Sequence, residues 1–332
     1  MKAMLMTAAG DPQVLQPADL PIPDPGPSDL LVRVHAAGIN PLDTKVRRHH
    51  MFHPSSLPAV LGCDGAGTVE AIGAQVRRFK PGDAVYFFNN GLGGAPGSYA
   101  QYTVVDENYA AAKPGNLSMV QAAAAPLVLI TAWEALVDRV GLRAGEQVLI
   151  HAGAGGVGHV AVQLARHLGA RVAATVSGAE KARLAGELGA EWVIDYTRED
   201  FVERTLAWTA GVGADVVLDT VGGATFAQSF SAVRLYGRLA TLMSTTCDMT
   251  QVNKARMRNL LVGYVQMTTP LLLGDHSLRC AQTRILEQGA KLFEQGQLRI
   301  VVSKVFALAD LVEAHRYVED GHASGKVVVE VA

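Results

Sequence analysis

The chain predicts an α/β protein of two domains, one a doubly wound parallel sheet flanked by helices, the other an irregular β domain. Three observations carry that prediction. A length of 332 residues exceeds what one core usually supports. The sequence pattern changes near Ser118 from Gly/Pro-punctuated apolar runs to helical stripes alternating with β-branched runs. A glycine-rich turn, Gly153 to Gly158, joins an apolar run to an apolar helical segment.

In the first hundred residues, short apolar runs such as Leu30 to Val34, Thr68 to Ile72 and Ala84 to Phe88 alternate with turn signals, which suits an irregular β domain. The pairs Pro25-Gly26, Pro81-Gly82 and Pro114-Gly115 mark turns, because Pro fixes φ and Gly accepts φ above zero. From Ser118 the strands of a parallel sheet are expected at Gln147 to His151, Arg171 to Val176, Trp192 to Asp195, Asp215 to Asp219 and Arg238 to Met243. A sixth is expected within Leu260 to Val265, and an apolar-striped helix over Val157 to Leu168. The helical segment Thr283 to Gln295 and the ending Lys326 to Val331 fit poorly as further βαβ units and are expected to return to the first domain. The expected domains are therefore 1–117 with 268–332, and 118–267, with the cleft between them as the expected ligand site.

Composition excludes several classes. With 49% hydrophobic and 18% charged residues the chain has ample material for buried cores. Its 29 basic and 31 acidic residues give a formal charge of −2, without a run of like charges. A nucleic acid or an anionic membrane is not an expected partner. The most apolar stretch, Ala122 to Val137, is interrupted by Pro126, Thr131 and Glu134 and is too short to span a bilayer. The start, Met1 to Gly10, has no signal-peptide pattern, and a cytoplasmic location is expected. The three cysteines, Cys63, Cys247 and Cys280, are widely spaced, so no disulfide framework or zinc knuckle is indicated.

The segment from Val148 to Gly158 reads as a strand, a G-x-G-x-x-G turn and a helix. In that context the glycines permit a tight turn, close approach of a pyrophosphate and close packing of helix on strand. The helix N-terminus adds unpaired N–H groups and a positive dipole end. Ala154, Gly155, Gly156, Val157 and Gly158 are the expected dinucleotide contacts. NAD-binding folds usually carry an acidic residue about 20 residues further on, at the end of the second strand. Here that end reads Val176-Ser177-Gly178, and Ser177 with Lys181 offers a hydroxyl and a cation to a 2′-phosphate. NADPH is thus favoured over NADH as cofactor.

Further segments sharpen the expectation. Ala36 to Asp43, Gly62 to Val69, Lys80 to Val85, Ala152 to Gly158 and Ala323 to Val328 occur in an order that resembles the medium-chain dehydrogenase/reductase superfamily, specifically its zinc-independent, zeta-crystallin-like quinone oxidoreductase branch. The resemblance spans nearly the whole chain and implies a GroES-like β domain, formed by both chain ends, around a Rossmann domain. It also implies a homodimer joined along the Rossmann sheet edge near Leu260 to Val265. The zinc alcohol dehydrogenases of this superfamily hold catalytic zinc with Cys and His ligands, whereas this chain has Asn40, Cys63 and about Leu127 at those places. The loop Asn89 to Gly97 lacks the cysteines of their structural zinc site. A thiol and a leucine cannot close a three-ligand zinc site.

A metal-free hydride donor suits small-molecule acceptors already activated by conjugation, such as quinones and α,β-unsaturated carbonyls, whose developing oxyanion needs only hydrogen-bond donors. The resemblance implies Asn40 as one such donor and Asp43 as a residue ordering its loop or touching the nicotinamide region. It implies Thr131, Tyr196, Leu242, Met243 and Lys326 along the cofactor cleft; Leu242 and Met243 serve equally well as strand core. Phe87, Phe88 and Met267 could line a substrate pocket, although each also reads as core. His49, His50 and His53 read as surface or pocket-lining residues, and His151 and His159 as structural. The same sequence also suits an NADPH-binding structural or RNA-binding zeta-crystallin-like protein without turnover, and, with the ligands missing, a zinc alcohol dehydrogenase poorly.

Overall fold

The computed structural model describes residues 1–49, 57–93, 95–243, 247–321 and 323–331. The chain divides into two compact units, Met1–Val128 with Thr268–Ala332, and Leu129–Met267. Among the described residues no helix is long and apolar enough to cross a membrane.

The first unit begins with β1 (Lys2–Met6), β2 (Leu15–Asp19), β3 (Asp29–Ile39) and β4 (Ala59–Val60). It continues through β5 (Asp64–Ile72), β6 (Ala84–Phe88), β7 (Tyr102–Asp106) and β8 (Ala110–Ala112). Strands β2, β1 and β4 form a small antiparallel sheet. The long strand β3 organises the larger sheet. One edge pairs with β5; the other is shared between β7, opposite Asp29 to Arg33, and the C-terminal strand, opposite Ala36 to Ile39. Alternating apolar residues Leu30, Val32, Val69, Val85, Phe87 and Val105 fill one core beneath it, as a half-buried antiparallel strand requires.

The second unit contains β9 (Gln147–Ile150), β10 (Arg171–Val176), β11 (Trp192–Asp195), β12 (Ala214–Asp219), β13 (Val233–Thr241) and β14 (Leu261–Tyr264). They pair in parallel in the order β11-β10-β9-β12-β13-β14. The order reverses beside β9, which is the topology of a Rossmann domain. Val148, Leu149 and Ile150 are fully buried because helices cover both faces of the sheet. Leu149, Ala173, Ile194, Val217 and Leu239 pack on one side with Phe201, Phe226 and Phe230. The last two rings meet edge to face at 5.0 Å. Helix Gly158–His167 buries Val160, Ala161 and Leu164.

The chain then re-enters the first unit through helix His276–Glu294, β15 (Val302–Ala307), helix Leu311–Glu319 and β16 (Lys326–Glu330). β16 pairs in parallel with β15 and antiparallel with β3.

Three boundaries differ from the sequence reading by more than one residue. Residues 118–128, read there as part of the nucleotide domain, lie in the first unit. Ser118 caps helix Met119–Ala123 in a reciprocal capping box with Gln121, and the helix seats on β3 where Gly38 has no side chain. A Cβ at Gly38 would stand 2.4 Å from the Ala123 carbonyl oxygen. The strand expected from Arg238 to Met243 starts at Val233, but its regular pairing with β12 and β14 is confined to Arg238 to Thr241, after a register shift. Helix His276–Glu294 begins seven residues before Thr283, because Asp275 caps the Leu278 N–H.

Candidate active site

The residues singled out in the sequence gather mainly at two places, one in each unit. In the second, the turn after β9 runs through Ala152, whose φ is +50°, to helix Gly158–His167. A Cβ on Gly158 would lie 2.0 Å from the Ala152 carbonyl oxygen, so only glycine lets the helix start this close to the strand. Among the described residues the N–H groups of Gly156 and Val157 have no acceptor. A bare helix start with free N–H groups fits a pyrophosphate.

Around this turn the ends of β9 to β12 enclose a cavity of about 310 Å³, lined by His151, Ala152, Thr175, Tyr196, Phe201 and Val221 among others. It lies at the topological switch point, where open α/β sheets bind nucleotides. Tyr196 is 55% exposed there. The end of β10 carries no acid: Ser177 is half-buried, Lys181 is half-exposed at the start of helix Ala179–Leu188, and Glu180 faces solvent. Leu242 and Met243 follow β13, half-buried, and Thr131 is buried in helix Pro126–Trp133.

His151 is part of the scaffold. Its Nδ1 lies 3.1 Å from Thr175 Oγ1 and its Nε2 2.9 Å from Ser229 Oγ. Burial lowers its pKa to about 4 despite Asp219, so the ring is neutral. His159 is equally buried.

In the first unit Asn40, Asp43, Cys63, Asp64, Tyr99 and Lys326 form one buried polar network. Lys326 Nζ donates to Ile39 O at 3.1 Å, to Asn40 Oδ1, and to Asp64 Oδ2 at 3.5 Å. These three acceptors match the three N–H groups of an ammonium. Asn40 Nδ2 donates to Asp64 Oδ2 at 2.9 Å, and the Leu127 N–H donates to Asp64 Oδ1 at 2.9 Å. Asp43 Oδ2 accepts from the Asn40 backbone N–H at 2.8 Å and from Tyr99 Oη at 3.0 Å. Cys63 Sγ donates to Asp43 Oδ1 at 3.6 Å.

Electrostatics follow from this burial. Desolvation pushes Asp43 up to about 7, and the nearby Asp64 adds to it; the N–H of Asn40, the hydroxyl of Tyr99 and the charge of Lys326 pull the other way. Burial also raises Asp64, opposed by Lys326 and the donors on Asn40 and Leu127. Burial holds the Cys63 thiol and the Tyr99 phenol well above their ordinary values, so both remain protonated donors to Asp43.

The positions that could have ligated zinc are otherwise engaged: Asn40 with Asp64 and Lys326, Cys63 with Asp43, and Leu127 through its backbone with Asp64. Among the described residues no group of three His, Cys, Asp or Glu side chains is placed to hold a metal. The donor set does not fit zinc; the buried cation beside Asp64 is the ammonium of Lys326.

Sequence reasoning brought Asn40, Asp43 and Lys326 to this network but assigned no role to Asp64 or Tyr99. Asp64 was visible only as part of the motif Gly62 to Val69, and its role appears only with Lys326 beside it. Lys326, expected along the cofactor cleft, is 3% exposed and turned into its own unit. Phe87 and Phe88 are buried in strand β6, and Met267 is buried as well. His49 is exposed, while His50 and His53 lie outside the described residues.

Residues 26–115 match the alcohol dehydrogenase GroES-like domain family and residues 188–329 the zinc-binding dehydrogenase family. The chain is 35% identical over 328 residues to a quinone oxidoreductase of Pseudomonas aeruginosa, covering 99% of both chains. It is 35% identical over 339 residues to the 2-methylene-furan-3-one reductase of Solanum lycopersicum, covering 99% of this chain and 79% of that protein. Among solved structures it resembles an NAD-dependent alcohol dehydrogenase at 36% identity and a TM-score of 0.91, with full coverage of both chains. It also resembles the Escherichia coli quinone oxidoreductase complexed with NADPH, at 30% identity and a TM-score of 0.88, again with full coverage of both. The chain therefore belongs to the medium-chain dehydrogenase/reductase superfamily, in its quinone oxidoreductase branch.

Proposed function

We propose that this chain is a zinc-independent, NADPH-dependent oxidoreductase that transfers hydride to quinones or α,β-unsaturated carbonyls. The observation that carries the reading is the buried network in which Asp64 and Lys326 engage Asn40, one of the positions where the resemblance puts a zinc ligand. NADPH supplies the hydride when bound. The residues of this chain stabilise the charge that then develops on a conjugated oxygen. Asn40 spends one Nδ2 hydrogen on Asp64 and its Oδ1 on Lys326, which leaves one amide N–H as donor to that oxygen. Asp43 acts on Asn40 by accepting its backbone N–H, and is in that sense a positioning residue.

Two features support NADPH and favour the quinone reductase likeness over the NAD-dependent one. The end of β10 has no carboxylate to hold a ribose diol, and Ser177 and Lys181 provide polar and cationic groups for a 2′-phosphate. The glycine turn receives the pyrophosphate, and the cavity bounded by Tyr196 and Val221 receives the adenine end. Thr131, Leu242 and Met243 contact the cofactor in this reading; Lys326 acts through Asn40 instead.

A homodimer and a cytoplasmic location complete the proposal. β14 is an edge strand whose Leu261 and Tyr264 are 58% and 62% exposed, and unpaired edges with apolar side chains invite a second copy. The three free cysteines suit a reducing compartment.

NADPH oxidation assayed against a panel of ortho- and para-quinones and short enones should show turnover above a no-substrate control; binding of NADPH without turnover across the panel would sink the catalytic reading. Lys181→Ala should weaken NADPH by about tenfold, roughly one charge-assisted contact, and leave NADH unchanged. Equal effects on the two cofactors, read by fluorescence titration, would remove Lys181 from the phosphate site.

The protonation of Asp43 also has a sign that can be tested. Its pKa is about 7 in the folded chain against an ordinary 3.8, so the folded state holds a proton that the unfolded state has released. This contribution to stability is complete below the unfolded value and is lost as pH rises through about 7. Asp43→Asn should therefore have a more favourable Tm change at about pH 8.5 than at about pH 5.5; thermal melts giving the same change at both would contradict the assignment. For the dimer, light scattering should find two copies in the native protein and one after Leu261→Glu with Tyr264→Glu. A monomeric native protein would exclude the edge contact.

A further inference from the structure

Helix His276–Glu294 carries a second cluster of reactive groups in the first unit. Cys280 Sγ lies 3.5 Å from His276 Nε2, one helical turn away. His276 Nδ1 is held 2.8 Å from the Tyr109 hydroxyl. With the proton on Nδ1 shared with Tyr109, Nε2 is left to accept from the thiol. This is the arrangement of a nucleophile, a base and a group that orients the base.

The cluster adjoins a cavity. Arg279 stands 3.4 Å over the Tyr109 ring, and both residues line a cavity of about 310 Å³ together with Asn89, Asn90, Asp29 and Asp106. That volume suits a small ligand. Its charges restrict the class: Asp29 and Asp106 oppose a carboxylate, while the Arg279 guanidinium can face an oxygen that becomes negative during reaction. The two other thiols are held back. Burial, with Asp43 and Asp64, raises Cys63 well above its ordinary value, and burial beside Asp248 raises Cys247.

We propose that Cys280 and His276 form a covalent modification site for neutral conjugated carbonyl compounds, separate from the Asn40 network. Only the choice of electrophile rests on the proposed substrate class. The thiol proton passes to His276 Nε2, and sulfur bonds to the β-carbon as the C=C π bond breaks. Charge gathers on the carbonyl oxygen near Arg279. His276 then returns the proton to the α-carbon, so the product is a thioether and no oxidant or reductant is consumed.

The test treats the whole protein, without NADPH, with N-ethylmaleimide and with its carboxyethyl analogue, and follows adducts by intact mass and peptide mapping. The first adduct should fall on Cys280. His276→Gln should slow it by about a hundredfold, the low end of what a positioned base contributes. The carboxylated reagent should lag behind the neutral one by more than it does with free cysteine. Labelling of Cys247 first, or an unchanged rate in His276→Gln, would overturn the site; equal relative rates for the two reagents would overturn its preference for neutral ligands. Turnover of NADPH with quinones, measured on Cys280→Ser, should match the native protein. Because labelling needs no cofactor and turnover needs no thiol here, failure of one reading leaves the other standing.

Discussion

The ammonium of Lys326 is the constraint around which the first unit is arranged. A buried charge is costly unless its partners satisfy it fully, and removing one partner of such a pair typically costs about 3–5 kcal/mol. Here three oxygens meet three N–H groups, from Ile39, Asn40 and Asp64. Each acceptor is fixed by a different piece of structure: the end of β3, the residue following it, and the start of β5. The pairing of Val327 with Ile39 sets the register that brings the ammonium there. Asp64 in turn grips the backbone of Leu127, so the same charge pair also orders the segment leading out of the unit.

Seen this way, Asn40 is less a free amide than a strut. Its side chain bridges a carboxylate and an ammonium, and its backbone is tied to Asp43. Such double anchoring fixes the orientation of the remaining amide hydrogen, and under the proposed function it is this preorganisation that would make the donor effective.

The parallel sheet was legible because its strands are β-branched runs buried on both faces, and the glycine turn because strand, glycines and helix follow one another in sequence. The helix over residues 119–123 was assigned to the wrong unit, since its position depends on a backbone contact at Gly38 that no periodicity reports. The role of Asp64 was hidden for a related reason: its partner is 262 residues away. Lys326 was found by resemblance but given a different task from the one its three hydrogen bonds describe. The start of the helix at His276 was obscured because its first turns are polar and exposed, so the apolar stripe begins only near Thr283.

That separation of 262 residues has a consequence for synthesis. The ribosome delivers Asp43 and Asp64 before the second unit, and the strand that carries Lys326 after it. The second unit has all its strands in one stretch and can fold as it emerges. The first cannot close its sheet or pair the Asp64 carboxylate with Lys326 until β16 has been made. A nascent chain that has not yet reached β16 thus carries a complete second unit and an open β sheet, which β16 closes.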